Sequence, residues 1–201
     1  MNNANDTTKQ DDASLIRLVQ NGDERAFVQL MRRYKDPITS FAYRFLGNYD
    51  DAVDVAQETF VRLHKYSATY TGDVKFNTWL YTIASNLAKT ELSKFWRKNS
   101  IAFSRLESTE DEIEWEIADE HYMPDARVDS TTIAKHVQAA LLKISPSYRE
   151  AVILRDVQQL AYEEIAEVMN LEIGTVKSRI NRGRQQLQLL LKPMYDEMFS
   201  D

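Results

Sequence analysis

A cationic helix near the C-terminus carries the strongest chemical signal in the sequence. Val176, Ile180 and Leu187 recur at helical spacing, and they predict one buried face. The other face combines cations with hydroxyl groups, which suits phosphates and base edges in the major groove of DNA. These candidate DNA-binding residues are Thr175, Lys177, Ser178, Arg179, Arg182 and Arg184. The alternative is an ordinary basic amphipathic helix on the surface of a bundle.

The residues before this helix indicate a helix-turn-helix. Ile165, Ala166 and Met169 predict a short helix, and the small side chain of Ala166 would let a second helix cross closely. Asn170 can adopt the left-handed conformation that ends a helix. Residues 171–174 are then predicted to form the turn, with Thr175 able to cap the next helix.

A second cluster of functional side chains lies between residues 66 and 98. Aromatic rings there precede and begin a helix that carries several cations. The aromatic members are Tyr66, Tyr70, Phe76, Trp79 and Tyr81, and the cationic members are Lys89, Lys94, Arg97 and Lys98. Rings beside cations suit single-stranded nucleic acid, because bases stack on the rings and the cations neutralise phosphates. The alternative is a helical bundle whose polar faces are simply solvated.

Helical periodicity extends through most of the chain and predicts an all-α fold. Gly 5 and Pro 4 are low counts for 201 residues, which disfavours a sandwich or a barrel. In the first half, Asp23 is a predicted N-cap, Pro37 should kink or break the helix that follows, and Gly47 should end it. Further helices are predicted from Asp50 and from Asn77 to about Lys98. In the second half, Ser145 and Pro146 mark another helix start.

The charge distribution divides the chain into two domains. Residues 1–99 hold 14 basic and 12 acidic side chains, whereas residues 100–131 hold 2 basic and 10 acidic ones. The acidic stretch therefore accounts for the net charge of −6, and it predicts a flexible acidic linker. The predicted organisation is a disordered segment (1–12), a helical bundle (13–99), the linker (100–131), a helix-turn-helix domain (132–192) and a C-terminal tail (193–201).

The residue types leave little support for an enzyme. The chain has no cysteine and three scattered histidines, so no metal site is expected. No Ser-His-Asp arrangement or glycine-rich phosphate loop can be assembled, and neither a cofactor nor a small-molecule substrate is predicted. The acidic residues of 50–54 could be proposed as a divalent-metal site, but a solvated, partner-facing surface is the preferred interpretation. The polar N-terminus and the lack of a long apolar run predict a cytoplasmic protein without membrane insertion.

Four segments in order resemble the extracytoplasmic-function (ECF) sigma factors of the bacterial sigma-70 family, over about 170 residues. They are NGDERAFVQLMRRY, DDAVDVAQETFVRL, FNTWLYTIASNLAKTEL and LAYEEIAEVMNLEIGTVKSRINRGRQQL. The resemblance implies a non-enzymatic subunit that gives RNA polymerase promoter recognition and DNA melting. It also implies three partners: the polymerase core through its clamp helices and flap, promoter DNA, and an anti-sigma factor.

The resemblance also implies a role for each cluster. Asn86 and Lys89 would hold a flipped base of the −10 element and its backbone, and the loop of residues 66–76 would form the pocket wall. The C-terminal cationic helix would read the −35 element. The full −10 set is Tyr70, Phe76, Trp79, Asn86, Lys89 and Ser93, and the polymerase-binding set is Asp51, Asp54, Gln57 and Glu58.

One departure and one alternative accompany this hypothesis. Ala161 stands where the family usually has Ser or Thr, so the start of that helix should be looser or capped in another way. The alternative function is a conventional helix-turn-helix regulator that acts without being a polymerase subunit, and it would recognise two symmetric half-sites.

Overall fold

The computed structural model describes residues 11–98 and 128–199, and helices and turns are the only regular structure in these two ranges. The first range contains four α-helices and a short 3-10 turn at Ser67–Thr69. The helices are α1 (Asp12–Gln20), α2 (Glu24–Leu46), α3 (Tyr49–Tyr66) and α4 (Phe76–Lys98).

The second range contains four further α-helices. They are α5 (Val128–Lys143), α6 (Pro146–Val152), α7 (Tyr162–Met169) and α8 (Ile173–Phe199), and a π-helical turn at Ile153–Val157 follows α6. The structure therefore confirms the all-α prediction, with a helical bundle first and a helix-turn-helix second.

Short polar side chains begin the helices of the bundle. The carboxylate of Asp23 accepts hydrogen bonds from the backbone N–H groups of Arg25 and Ala26, at 2.8 and 3.2 Å, as predicted. Asn48 accepts from the N–H of Asp51 at 2.9 Å, so α3 begins at Tyr49, one residue before the predicted start. Gly47 ends α2 with a φ of +81°, a conformation that glycine adopts without strain.

The second helix is not interrupted at Pro37. Proline lacks the N–H of the helical ladder and normally weakens a helix interior, yet α2 runs from Glu24 to Leu46. Leu30, Ile38 and Phe41 are fully buried along it. Packing of this apolar side therefore outweighs the local cost of the proline.

Three predicted segment boundaries differ from the helices. Asp11 and Asp12 lie at the start of α1, although the predicted disordered segment includes them, and residues 1–10 lie outside the described residues. The acidic linker falls largely on residues 99–127, which are also outside them, while residues 128–131 belong to α5. The last helix continues through Pro193 to Phe199, into the predicted C-terminal tail.

The buried residues of both domains form one apolar cluster. In the bundle, Leu15, Leu63 and Leu80 have no exposed surface. In the second domain, Ile153, Ile165 and Val176 are equally buried. The clusters join because α2 packs against α5 and α6, and α4 packs against α7.

Candidate nucleic-acid and polymerase interfaces

The first helix of the helix-turn-helix, α7, is capped by the carboxylate of a residue in its first turn and not by a hydroxyl group before it. Its N-cap residue, Ala161, has no side-chain acceptor, but its backbone N–H donates to Oε2 of Glu164 at 2.7 Å. Glu164 also pairs with Lys75 at 2.9 Å. Partial burial alone would raise the pKa of Glu164, but the hydrogen bonds from Ala161 and Lys75 lower it below its usual range. The missing Ser or Thr is thus replaced by half of a capping box.

The turn between α7 and α8 is shorter than predicted. Asn170 adopts the left-handed conformation, with φ 51° and ψ 56°, and this confirms the predicted helix end. However, α8 begins at Ile173, and the N–H of Val176 donates to the carbonyl of Glu172 at 3.1 Å. Thr175 is therefore inside the first turn of α8, and the prediction that it caps this helix is wrong.

The predicted DNA-binding residues occupy two sides of α8. Val176 and Ile180 are buried, as expected. Helical spacing puts Thr175, Ser178, Arg179 and Arg182 together on the side away from these residues. Arg179 is half-buried and the other three are exposed, so one polar face turns outward.

Lys177 and Arg184 lie on a different flank of α8, next to their own domain. Nζ of Lys177 is 5.6 Å from the ring centroid of Tyr162. Nε of Arg184 donates to Asp156 at 3.0 Å, and this hydrogen bond raises the pKa of Arg184 despite partial burial. Both cations therefore have partners within the domain, and so does Arg182 of the outward face, whose Nη1 donates to the hydroxyl of Tyr148 at 3.3 Å.

Gly183 is the close-packing residue that the sequence interpretation missed. A Cβ at this position would lie 2.6 Å from Cγ2 of Val152 and 3.2 Å from the carbonyl oxygen of Tyr148. The absence of a side chain thus lets α8 cross α6. A glycine inside a helical pattern signals a close approach of this kind, in addition to the crossing predicted at Ala166.

Three of the five predicted aromatic residues, Tyr70, Phe76 and Trp79, come together around the loop before α4, whereas Tyr81 is buried against Phe41. The ring of Tyr70 lies 5.3 Å from Trp79 and 6.0 Å from Phe76, measured between centroids. Phe76 is only 3% exposed and meets Tyr34 edge-on at 5.5 Å. Phe76 is therefore placed to support the rings of Tyr70 and Trp79, which keep some surface.

Gln20 anchors this loop, and nothing in the sequence pattern singled it out. Its Nε2 donates to the carbonyl oxygens of Ser67 and Tyr70, both at 2.9 Å. The hydroxyl of Tyr70 in turn donates to the carbonyl of Val74 at 2.7 Å. The loop thus has a defined shape before any ligand binds.

The polar residues of α4 differ in their surroundings. Asn86 is exposed. The hydroxyl of Ser93 donates to the carbonyl of Lys89 at 2.8 Å, so it is engaged with its own helix. Nζ of Lys89 lies 2.8 Å from a carboxylate oxygen of Glu150 in the second domain.

The acidic face of α3 is exposed to solvent except at its N-terminal end, where Asp51 lies. Asp54, Gln57 and Glu58 are exposed, and Glu58 pairs with Arg62 at 2.9 Å. Asp51 is half-buried, and burial raises its pKa, with a further contribution from nearby carboxylates.

An apolar groove between α2 and α3 borders this acidic face, with a volume of about 730 Å³. Val61, at its edge, is 58% exposed. The other lining residues are Phe27, Met31, Lys35, Asp36, Thr39, Tyr49, Val53, Ala56, Gln57, Phe60 and His64. The sequence interpretation predicted the acidic face but missed the groove, because only packing shows which apolar residues of two helices remain uncovered.

The described residues, 11–98 and 128–199, contain neither a metal-binding cluster nor a membrane-spanning helix. Within them, no three His, Asp or Glu side chains are grouped so that they could hold a metal ion. No helix in the same ranges has the length and apolar character needed to cross a membrane.

Comparisons with known proteins identify both domains. The family model of sigma-70 region 2 matches residues 30–98, and that of sigma-70 region 4 matches residues 135–187. Each family match thus falls on one of the two helical domains.

Whole-chain relatives agree with the domain matches. The chain is 34% identical to the ECF RNA polymerase sigma factor SigW of Bacillus subtilis, over 89% of this chain and 96% of SigW. It is 33% identical to the RNA polymerase sigma-H factor of Pseudomonas aeruginosa, over 94% and 98% of the two chains. A structure of the sigma factor RpoE bound to the anti-sigma factor NepR, from Bartonella quintana, superimposes with a TM-score of 0.63 at 26% identity, covering 83% of this chain and 96% of RpoE. The chain belongs to the ECF RNA polymerase sigma factors of the sigma-70 family.

Proposed function

We propose that this sigma factor divides promoter recognition between its two domains. The bundle, residues 13–99, would bind the polymerase core and the −10 element, and the helix-turn-helix domain, residues 132–192, would bind the −35 element. The observation that carries this assignment is the outward face of α8, where four polar residues lie opposite Val176 and Ile180. This is the layout of a recognition helix in the major groove.

For the −35 element, Arg179 and Arg182 supply the cations of the outward face, and Thr175 and Ser178 supply hydroxyls. Arginine forms paired hydrogen bonds with guanine, and hydroxyls bind either phosphates or base edges. Lys177 and Arg184 lie on the flank and would contact the phosphate backbone, while Arg184 keeps its bond to Asp156.

For the −10 element, Asn86 and Lys89 would bind an extracted base and its backbone. Extraction costs a few kcal/mol of unstacking, which stacking and hydrogen bonds to the exposed base edge offset. Tyr70 and Trp79 would provide the aromatic wall, and Phe76 would hold them in place. Ser93 would extend the polar track along α4.

For the polymerase core, the acidic face of α3 and the apolar groove beside it would form one binding surface. Asp51, Asp54, Gln57 and Glu58 would face basic residues of the clamp helices, and the groove would take apolar side chains between them. A helix laid into a groove between two helices is a common recognition mode. The helix-turn-helix domain would contact the polymerase flap.

This sigma factor would act in the cytoplasm and perform no catalysis, since nucleotide addition belongs to the polymerase. We also propose control by an anti-sigma factor. The RpoE relative was solved with such a partner, and the partner of this chain would compete with the polymerase core for the groove.

Footprinting tests this division of labour. The full chain and core polymerase should together protect two separated segments of a promoter selected from a fragment library. The double change Arg179→Ala and Arg182→Ala should remove the upstream protection, whereas Gln188→Ala, at an exposed position of α8 off that face, should not. Asn86→Ala should reduce strand opening more than closed-complex formation, and Thr90→Ala is its control on α4.

The polymerase surface needs its own test. Val61→Asp should weaken binding to core polymerase at least tenfold, because a charge at the groove would lose apolar contact. Gln29→Asp, at an exposed position of α2, is the matched control. Tight promoter-specific binding by the free chain, without core polymerase, would contradict the proposal.

A further inference from the structure

The first helix reaches the loop before α4 through a single side chain. Gln20 is the last residue of α1. Its Nε2 donates to the carbonyl oxygens of Ser67 and Tyr70, each at 2.9 Å, across 47 and 50 residues of sequence. A side-chain amide nitrogen carries two hydrogens, so Gln20 can make both bonds at once. One amide therefore holds two points of the loop that are three residues apart.

Two bonds inside the loop complete this hold. The N–H of Tyr70 donates to the carbonyl of Ser67 at 3.1 Å, and the hydroxyl of Tyr70 donates to the carbonyl of Val74 at 2.7 Å. Tyr70 is thus fixed at its N–H, its carbonyl oxygen and its hydroxyl. Because the carbonyl is held by Gln20, the direction of the Tyr70 ring depends on a residue of α1.

The tip of the loop has little packing to hold it. Thr71, Gly72 and Asp73 are exposed, and a Cβ on Gly72 would meet no atom within 4 Å. Gly72 also has a φ of +90°, in a region that glycine enters and leaves without strain. Exposed segments with few packed contacts open easily. The order of this loop therefore comes from its ends, and Gln20 binds one of them.

The helix that carries Gln20 is itself firmly placed. Leu15, in the middle of α1, has no exposed surface. At the start of α1, the carboxylate of Asp12 pairs with Arg33 and accepts a hydrogen bond from the hydroxyl of Tyr34, both in α2. The first helix is thus a rigid support from which Gln20 holds the loop.

A second route leads from α1 to the same aromatic rings. Tyr34 meets Phe76 edge-on at 5.5 Å. Phe76 lies 6.0 Å from Tyr70 and 6.2 Å from Trp79, measured between ring centroids. Since Asp12 holds Tyr34, both ends of α1 support the pair formed by Tyr70 and Trp79.

We propose that Gln20 is a positioning residue for base selection in the −10 element, because it fixes the Tyr70 ring beside Trp79. The inference rests on the proposed role of these rings as the wall of the −10 pocket. Gln20 acts through Tyr70 and needs no contact with DNA. It also lies ahead of residues 30–98, the part of the chain that the region 2 family model matches.

A fixed wall distinguishes between bases better than a loose one. A base of the wrong shape clashes with rings that cannot move, and such clashes are a source of specificity. An ordered loop also loses less conformational entropy when the correct base binds. Without Gln20 the loop would shift to admit other bases, and it would have to become ordered around the correct one. The loss should therefore fall on the preferred sequence more than on the others.

Base preference measured on the holoenzyme tests this role. The full chain with core polymerase forms open complexes on a promoter library whose −10 element is randomised, and sequencing of the opened templates gives the preference at each position. Gln20→Ala should reduce the preference for the favoured base by about threefold or more at one or more positions. A general loss of stability would reduce opening on all sequences alike and leave this ratio unchanged.

Two variants show whether the hydrogen bonds of Gln20 are responsible. Gln20→Glu keeps the shape of the side chain but has no donor for the two carbonyl oxygens when ionised, so it should lose preference as Gln20→Ala does. Gln29→Ala makes the alanine change at an exposed position of α2 and should keep the wild-type preference. Wild-type preference in either Gln20 variant overturns the proposal.

Hydrogen exchange of the free chain examines the loop without promoter or polymerase. In Gln20→Ala, the backbone amides of residues 67–75 should exchange about fivefold faster than in wild type or more, because the loop has lost an anchor. Gln29→Ala should exchange as wild type does. Unchanged exchange of residues 67–75 in Gln20→Ala overturns the proposal.

Removal of the rings separates this inference from the proposed function. Tyr70→Ala and Trp79→Ala should each reduce the base preference of the holoenzyme on the same library. If neither does so, the rings are not the wall of the −10 pocket, and the proposed function is contradicted. If they do so and the Gln20 variants do not, the proposed function stands and the positioning role of Gln20 is overturned.

Discussion

Arg149 of α6 donates a hydrogen bond of 2.6 Å to the carbonyl oxygen of Phe45, in the last turn of α2. The same guanidinium donates to the carbonyls of Leu142 and Ile144, at 2.8 and 3.1 Å. The side chain has no exposed surface, and burial lowers the pKa of Arg149. Three carbonyl acceptors compensate the burial of the cation. Arg149 therefore connects the two domains, and it also holds the end of α5 in its own domain.

Replacing this arginine should therefore weaken both the domain contact and the fold. Arg149→Met keeps much of the apolar volume but leaves three buried carbonyl oxygens without their donor. We expect the free energy of unfolding to fall by about 3 kcal/mol, since unsatisfied buried polar groups cost roughly 1–3 kcal/mol each and part of the loss is recovered by water. Urea denaturation followed by circular dichroism measures this change. Arg32→Met, at an exposed position of α2, should have almost no effect, and equal midpoints for the two variants would show that Arg149 is not structural.

Two glycines of α8 should respond in opposite directions to the same substitution. Gly183→Ala places a methyl group 2.6 Å from Val152 and 3.2 Å from a backbone oxygen of Tyr148, so it should destabilise the domain by about 1–3 kcal/mol. Gly174→Ala meets no atom within 4 Å and should be neutral or stabilise the helix by up to about 1 kcal/mol. Thermal unfolding of both variants tests the pair. A Gly183→Ala chain as stable as wild type would mean that α6 and α8 do not cross closely.

The cap of α7 predicts a dependence of stability on pH. Hydrogen bonds lower the pKa of Glu164 below its ordinary value of 4.5, so the contribution of its carboxylate to stability is fully present above pH 4.5. That contribution is lost as the pH falls through the lowered pKa. Glu164→Gln should cost about 1 kcal/mol near neutral pH, and the difference from wild type should vanish in stronger acid. Denaturation at a series of pH values measures it. Glu163→Gln, next to it but exposed, should show no such dependence.

Arg182 and Arg184 should separate DNA binding from stability. Arg182→Ala removes a cation from the outward face of α8, so it should weaken promoter binding by the polymerase holoenzyme and reduce the salt dependence of binding by about one charge. Arg184→Ala breaks the bond to Asp156, so it should lower the melting temperature, with a smaller loss of promoter binding from its contact with the phosphate backbone. Binding titrations at several salt concentrations and thermal scans of each variant distinguish these outcomes. The reverse pattern would show that the two arginines have exchanged roles.

Local chemistry made most helix ends predictable. Asp23 and Gly47 act as expected because capping and a positive φ depend on one residue and its nearest neighbours. Asn170 is a third case of the same kind. Of the predicted kink or break at Pro37, the break does not occur, since burial of the apolar side of α2 outweighs one missing hydrogen bond. The predicted start of α8 at Thr175 is wrong. Thr175 would be a suitable N-cap if it were judged alone, but the turn after Asn170 is so short that α8 already begins at Ile173.

The sequence by itself determined the all-α class, the two-domain order and the types of side chain available for DNA and polymerase. These follow from periodicity and composition, which are local properties. Only the tertiary structure decided that Arg184 pairs with Asp156, that Phe76 is buried, and that an apolar groove lies beside the acidic face. It also decided that Lys89 meets Glu150 across the domain boundary. Residues 61 positions apart in the chain come into contact only when the two apolar cores pack, and no local pattern encodes that packing.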